Sequence, residues 1–178
     1  MTADAIEIVF AEDTKPEHEA IIISYMKSFR DRRLPIILSS EHLSLLLGIK
    51  EAALYSISNS VNAFYRTFYV RKKNGGQRQI SAPLPLLLDA QQWILSEILQ
   101  KITIHPAAKA YKKGSSIKEN ARFHRAQECV FKSDVENFFG SIPDFWVFEL
   151  FHELGYTKSI SRLLAGLCCK DGVLPQGA

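Results

Sequence analysis

Three places in this sequence combine residue types that can do chemistry. The first is Asp134, at the end of the apolar run over residues 128–135. A strand there pushes one carboxylate out at its end, where it can hold a metal ion; the same placement also suits a turn or a helix cap. The second is a cluster of cations, Arg71, Lys72 and Lys73 before Asn74–Gly75–Gly76 and Arg78 after it. Arg offers a planar fork that fits phosphate and Lys a point charge, although a Lys-Lys turn also sits in water with no ligand. The third is Leu174–Pro175–Gln176–Gly177–Ala178, an amide side chain beside a glycine, which also reads as a simple turn.

The charge distribution fits a polyanionic partner for the cation cluster, and fits a merely solvated basic face equally well. A net charge of +3 over 178 residues hides an asymmetry. Residues 1–65 sum to −3, residues 66–125 to +9 and residues 126–178 to −3. In the basic middle block, Lys and Arg are interleaved with Tyr65, Phe68, Tyr69, Tyr111 and Phe123. Cations release counterions from phosphates and aromatic rings stack on bases, so the block suits nucleic acid; a sulfated glycan or an acidic protein also fits.

Composition narrows the class. With 47% hydrophobic and 23% charged residues, the chain has the balance of a globular protein that buries a core. No apolar run approaches the roughly 18 residues of a membrane span. The start carries Asp4, Glu7, Glu12 and Asp13, the wrong sign for a secretory signal. Cys129, Cys168 and Cys169 are too few and wrongly spaced for a disulfide framework or a four-ligand zinc site, so a reducing cytoplasm is expected.

The elements that must position these groups follow from periodicity and punctuation. Residues 1–13 read as a loose arm. Thr14, Pro16 and Glu17 open a helix to about Arg30. Ser39, Ser40 and Glu41 open a second that stops near Gly48, and a third runs from Lys50 to about Tyr65. Extended runs over 67–71 and 77–82 flank Asn74–Gly75, a strong hairpin signal. Pro83 and Pro85 start a helix with Leu87, Leu88, Gln91, Leu95, Ile98, Leu99 and Ile102 at helical spacing. Ser116 and Glu119 form a capping box for a helix carrying Asn120 and His124. Residues 128–135 read as a buried strand. Pro143 opens a helix ending at Gly155, and a last helix holds Ile160, Leu163, Leu164 and Leu167. The order is α+β with a sheet that looks incomplete.

Four segments, taken together and in order, closely resemble the first half of bacterial reverse transcriptases of the retron and group II intron type. They are Arg71–Lys72–Lys73–Asn74–Gly75–Gly76–Gln77–Arg78 with Ile80–Ser81–Ala82–Pro83; Gly114–Ser115–Ser116–Ile117 with Asn120–Ala121–Arg122–Phe123–His124; Phe131–Lys132–Ser133–Asp134–Val135–Glu136–Asn137–Phe138–Phe139; and Leu174–Pro175–Gln176–Gly177–Ala178. The Asn-Ala-x-x-His run is similar to the retron branch in particular. The resemblance covers residues 39–178.

It implies a right-hand polymerase fold: an N-terminal extension over 1–38, fingers over 39–127 and part of the palm over 128–178. It implies RNA-directed DNA polymerisation with two Mg²⁺ ions, an RNA template, a DNA or RNA primer and deoxynucleotides. Asp134 is then the first metal-binding aspartate and the Val135 carbonyl a second metal contact. Lys72, Lys73 and Arg78 hold the incoming triphosphate, Gln176 and Gly177 line the nucleotide pocket, and Arg71, Gly114, Ser116 and Asn120 contact template or organise the fingers. Phe139 lies under the incoming sugar and excludes a 2′-hydroxyl, which leaves Phe138 as the core ring. His124 stays outside the catalytic set. By analogy with retrons, the family copies a structured RNA encoded beside it and serves in phage defence.

The sequence departs from the family at its end. The family continues with Pro-Thr-Ser-Pro and a Tyr-x-Asp-Asp hairpin bearing two more metal-binding aspartates, and then the thumb. No Asp-Asp pair occurs in the 178 residues. One carboxylate does not hold two magnesium ions, so the expectation is a truncated polymerase, inactive alone. The alternatives are one subunit of a split enzyme completed by a second polypeptide, or a non-catalytic RNA-binding remnant.

Overall fold

A computed structural model describes residues 16–72, 75–110, 114–122 and 124–177, with the side chains of the first helix described from residue 22 onward. The loose arm expected over residues 1–13, and Thr14, Lys73, Asn74, Tyr111, Phe123 and Ala178, therefore lie outside the described residues.

The helices start close to where the periodicity puts them, but three end early: the helix expected to about Tyr65 stops at Asn59, the one expected through Ile102 stops at Glu97, and the one expected to carry His124 stops at Arg122. Helix α1 spans Pro16–Asp31, α2 Ser40–Leu47 and α3 Glu51–Asn59. The Ser39 hydroxyl caps α2 by accepting from the His42 N–H at 3.1 Å, and Gly48 closes it at φ +68°, a left-handed conformation that glycine adopts without a Cβ penalty. A 3-10 turn over Val61–Phe64 leads into β1, Tyr65–Arg71, which pairs antiparallel with β2, Gln77–Pro83. Helix α4 covers Pro85–Glu97, with proline in its first turn, and runs into a 3-10 turn at Leu99–Lys101. The short α5, Ile117–Arg122, starts from a Ser116 hydroxyl that accepts from the Glu119 N–H at 3.1 Å. Helices α6, Asp144–Glu153, and α7, Lys158–Cys168, complete the order.

One core joins these elements. α7 packs on α6, α3 and α4, and α2 packs on α3. Leu54, Ile57, Leu87, Ile94, Ile98, Phe151, Ile160, Leu164 and Leu167 are buried in it. Polar ties fix its edges: the Tyr156 hydroxyl donates to the Pro35 carbonyl at 3.0 Å, and Gln91 Nε2 donates to both Tyr65 Oη and the Leu167 carbonyl at 2.8 Å. Burial pushes the Tyr65 phenol up to about 12, against the opposing effect of its Gln91 bond. It raises the Cys168 and Cys169 thiols to about 12 as well, so both remain protonated packing groups.

The expected strand over 128–135 does not form. Val130, Phe131 and Val135 are 55%, 88% and 61% exposed, and the sheet described has two strands only, β1 and β2. A strand draws its backbone hydrogen bonds from a neighbour, and among the described residues none lies beside this segment. Its apolar composition therefore remains uncovered. The fold is helix-rich α+β with one small hairpin.

Candidate active site

A cleft of about 770 Å³ lies where three distant segments converge. Lys72, Gln77, Arg78, Gln79 and Ser81 line it from the hairpin, residues 134–140 from the loop before α6, and Lys170, Asp171 and residues 173–176 from the chain after α7. Each wall has a local cause.

The hairpin turn closes through the Lys72 N–H donating to Gly76 O at 3.1 Å, with Gly75 and Gly76 both at positive φ. The register Val70↔Arg78 and Arg71↔Gln77 follows from that loop. The middle wall is a tight turn. Asn137 takes φ +50°, residues 139–141 form a 3-10 turn, and Ser141 donates through its N–H to Asn137 O at 3.0 Å and through its hydroxyl to Phe138 O at 2.7 Å. The third wall folds back at Asp171–Gly172, where both residues have positive φ and Lys170 pairs with Val173 through bonds of 2.8 and 3.1 Å. Asp-Gly between two short extended pieces is a two-residue hairpin signal that the sequence contains.

The third wall is fixed to the first. Asn62 Nδ2 donates to Asp171 Oδ1 at 2.6 Å, and the Ser81 N–H donates to the Gln176 carbonyl at 2.9 Å. At Gly177, φ is +101° and a Cβ would lie 2.6 Å from Ile80 Cγ2. Glycine is required there because the turn passes against β2.

Of the residues singled out from sequence, Lys72, Arg78, Asp134, Val135, Phe139 and Gln176 line this one cleft, and Gly177 adjoins it. Arg71 is exposed on β1 and does not line it. Gly114, Ser116 and Asn120 sit at the start of α5, outside the cleft, as does His124 in the turn after it. Lys73 lies outside the described residues. One assignment is corrected. Phe138 is not a core ring: it is 52% exposed, and Phe139 is the more buried of the two. Alternation across an extended segment does not apply, because residues 136–141 turn rather than extend. Both rings line the cleft, edge to face with centroids 5.4 Å apart.

The donor set bears on the expected metal. The cleft offers the Asp134 carboxylate, the Val135 carbonyl and, two residues on, Glu136. No group of three or more ligating side chains occurs among the described residues. Magnesium asks for octahedral oxygen ligation, and these oxygens fall short of what one such ion, or a pair, would take.

No protein-family model matches the chain. Among curated proteins it is similar to the retron Ec86 reverse transcriptase of Escherichia coli, with 34% identity over 158 residues, 86% of this chain and 49% of that protein. The retron Mx162 and Mx65 reverse transcriptases of Myxococcus xanthus match at 31% and 33% identity over 71% and 75% of the chain. The chain belongs to the retron reverse transcriptases, a family of RNA-directed DNA polymerases. It spans about half the length of the first relative and about a third or less of the other two. No helix among the described residues is long and apolar enough to cross a membrane.

Proposed function

We propose that this chain forms the fingers, over 39–127, and the first part of the palm, over 128–178, of an RNA-directed DNA polymerase. In this reading the cleft between hairpin, Asp134 and Gln176 receives the incoming deoxynucleotide. The observation that supports it is convergence: cations from the hairpin, a carboxylate some 60 residues later and an amide a further 40 on share one cavity. Arg78 and Lys72 neutralise and orient the triphosphate. Phe139 lies against the sugar, and Gln176 and the Gly177 backbone bound the pocket. Arg71 and the α5 start, with Gly114, Ser116 and Asn120, meet the template, and Lys73 adds charge to the same basic run of sequence. Asp134 and the Val135 carbonyl contribute part of a magnesium site whose other carboxylates come from outside residues 1–178. Magnesium, when bound, supplies the charge neutralisation that phosphoryl transfer needs.

The 178-residue chain alone is expected to give no extension of a primed RNA template with magnesium and deoxynucleotides. Joined to the C-terminal half of a retron reverse transcriptase, it is expected to extend the primer, and Asp134→Asn is expected to abolish that extension. Template-dependent extension by the lone chain, or a joined enzyme indifferent to Asp134→Asn, contradicts the assignment.

Sugar choice gives a second test in the joined enzyme. Phe139→Ala removes the ring proposed to wall off a 2′-hydroxyl. Relief of such a clash is on the order of 1–3 kcal/mol, so the preference for deoxynucleotides is expected to fall about tenfold or more. The measurement is kcat/KM for a deoxynucleotide and its ribonucleotide on one template. An unchanged ratio removes Phe139 from the sugar site.

A further inference from the structure

Lys170, which no motif singled out, occupies an unusual electrostatic position. Its Nζ donates to Thr67 Oγ1 at 2.9 Å and to Ser81 Oγ at 3.2 Å. Thr67 and Ser81 are directly paired across β1 and β2, so the ammonium seals that cross-strand pair. It also stands 5.5 Å from the centre of the Tyr65 ring. Both hydrogen-bond partners are neutral hydroxyls, and no carboxylate pairs with Lys170 among the described residues. Its neighbour Asp171 is instead held by Asn62. Lys170 is half-buried and lines the cleft together with Lys72, Arg78 and Asp134.

A half-buried ammonium on neutral partners has no counter-charge beside it and has given up part of its hydration. An ammonium has three donors, and the hydroxyls take two. The remaining donor has no protein acceptor among the described residues. The chemistry that completes such a group is an anionic oxygen arriving in the cleft. Lys72 and Arg78 already give that cleft a cationic wall.

We propose that Lys170 is a further phosphate-binding residue of the cleft, held in place by Thr67 and Ser81 and donating its third N–H to a phosphate oxygen of the bound ligand. The proposal rests on the polymerase reading above. The phosphate comes either from a nucleotide's triphosphate or from the backbone of a bound strand, and the two are separable with simple probes.

Binding of inorganic tripolyphosphate and of a ten-residue oligoadenylate RNA to the 178-residue chain is measured by calorimetry. Wild type, Lys170→Met, Lys170→Arg, Arg78→Ala and the double variant Thr67→Val with Ser81→Ala are compared, each with a thermal melt. Lys170→Met is expected to weaken one probe about tenfold, while Lys170→Arg and the double variant stay within about threefold of wild type. Loss with tripolyphosphate assigns the residue to the nucleotide's phosphates, and loss with the RNA assigns it to the strand. The proposal is overturned if folded Lys170→Met binds both probes normally. It is also overturned if the double variant loses as much as Lys170→Met, since Lys170 is then a tether only. Should Lys170→Met not fold, retained binding by Lys170→Arg and the double variant supports the proposal, and loss in either overturns it. Arg78→Ala keeps the two readings apart. If Arg78→Ala weakens tripolyphosphate and Lys170→Met weakens neither probe, Lys170 fails alone; if wild type binds neither probe, the polymerase reading fails.

Discussion

Replacing Arg71, Lys72, Lys73 and Arg78 together with glutamine is expected to lower the affinity for single-stranded RNA by on the order of 10²–10³ at about 100 mM salt. Four of the twelve Lys and Arg residues in the basic middle block lie in this one hairpin. Arg71, Lys72 and Arg78 are exposed on it, so water screens them until a polyanion arrives. Each phosphate they neutralise releases counterions, and for single strands each contact adds about 0.7 to the slope of log affinity against log salt. Loss of all four therefore flattens that slope by about 3. The hairpin's register depends on backbone bonds rather than on these side chains, so the variant should melt as wild type does. A slope that does not change places the RNA elsewhere on the chain.

The second large effect concerns stability, and it separates the two faces of the loop and helix that follow Asp134. Phe151→Ala is expected to cost about 3–5 kcal/mol, because it empties a fully buried ring site. Phe151 is 0% exposed in the contact of α6 with α7. For a chain of this size that is a fall in melting temperature of about 10 °C. Phe138→Ala, by contrast, is expected to cost about 1 kcal/mol or less, since its ring is 52% exposed and leaves no cavity. Equal losses from the two substitutions would show that Phe138 is buried against something the described residues do not include.

Much of the helical framework was legible in the sequence because its signals are local. Ser39 and Gly48 bracket α2, Pro85 opens α4, Ser116 caps α5 and Gly155 ends the α6 turn at φ +96°. The hairpin was legible for the same reason, through Asn74–Gly75. The segment over 128–135 was misread because its apolar character reports a burial potential without saying what would cover it. Strand formation is a long-range event, and no partner strand is described beside it. Phe138 was misread as a core ring for a related reason: the left-handed Asn137 and the 3-10 turn after it leave its ring 52% exposed at the cleft.

The candidate site was legible as a list of residues and not as a place. Lys72, Asp134 and Gln176 have no mutual spacing that a sequence displays, and it is the fold that brings them to one cleft, with the chain turning back at Asp171–Gly172 just before Gln176. Lys170 carried no signal beyond its charge. Its importance comes from Thr67 and Ser81, about 100 and 90 residues away and paired across the hairpin.

Whether that cleft binds a nucleotide is decided by titrating the isotopically labelled 178-residue chain with deoxythymidine triphosphate and following the backbone amide resonances. Perturbations are expected to gather at Lys72 and Arg78, at residues 135–139 and at Leu174, Gln176 and Gly177, and to weaken in Arg78→Ala. Perturbations confined to other faces of the molecule, or none at millimolar nucleotide, would contradict the assignment of the cleft.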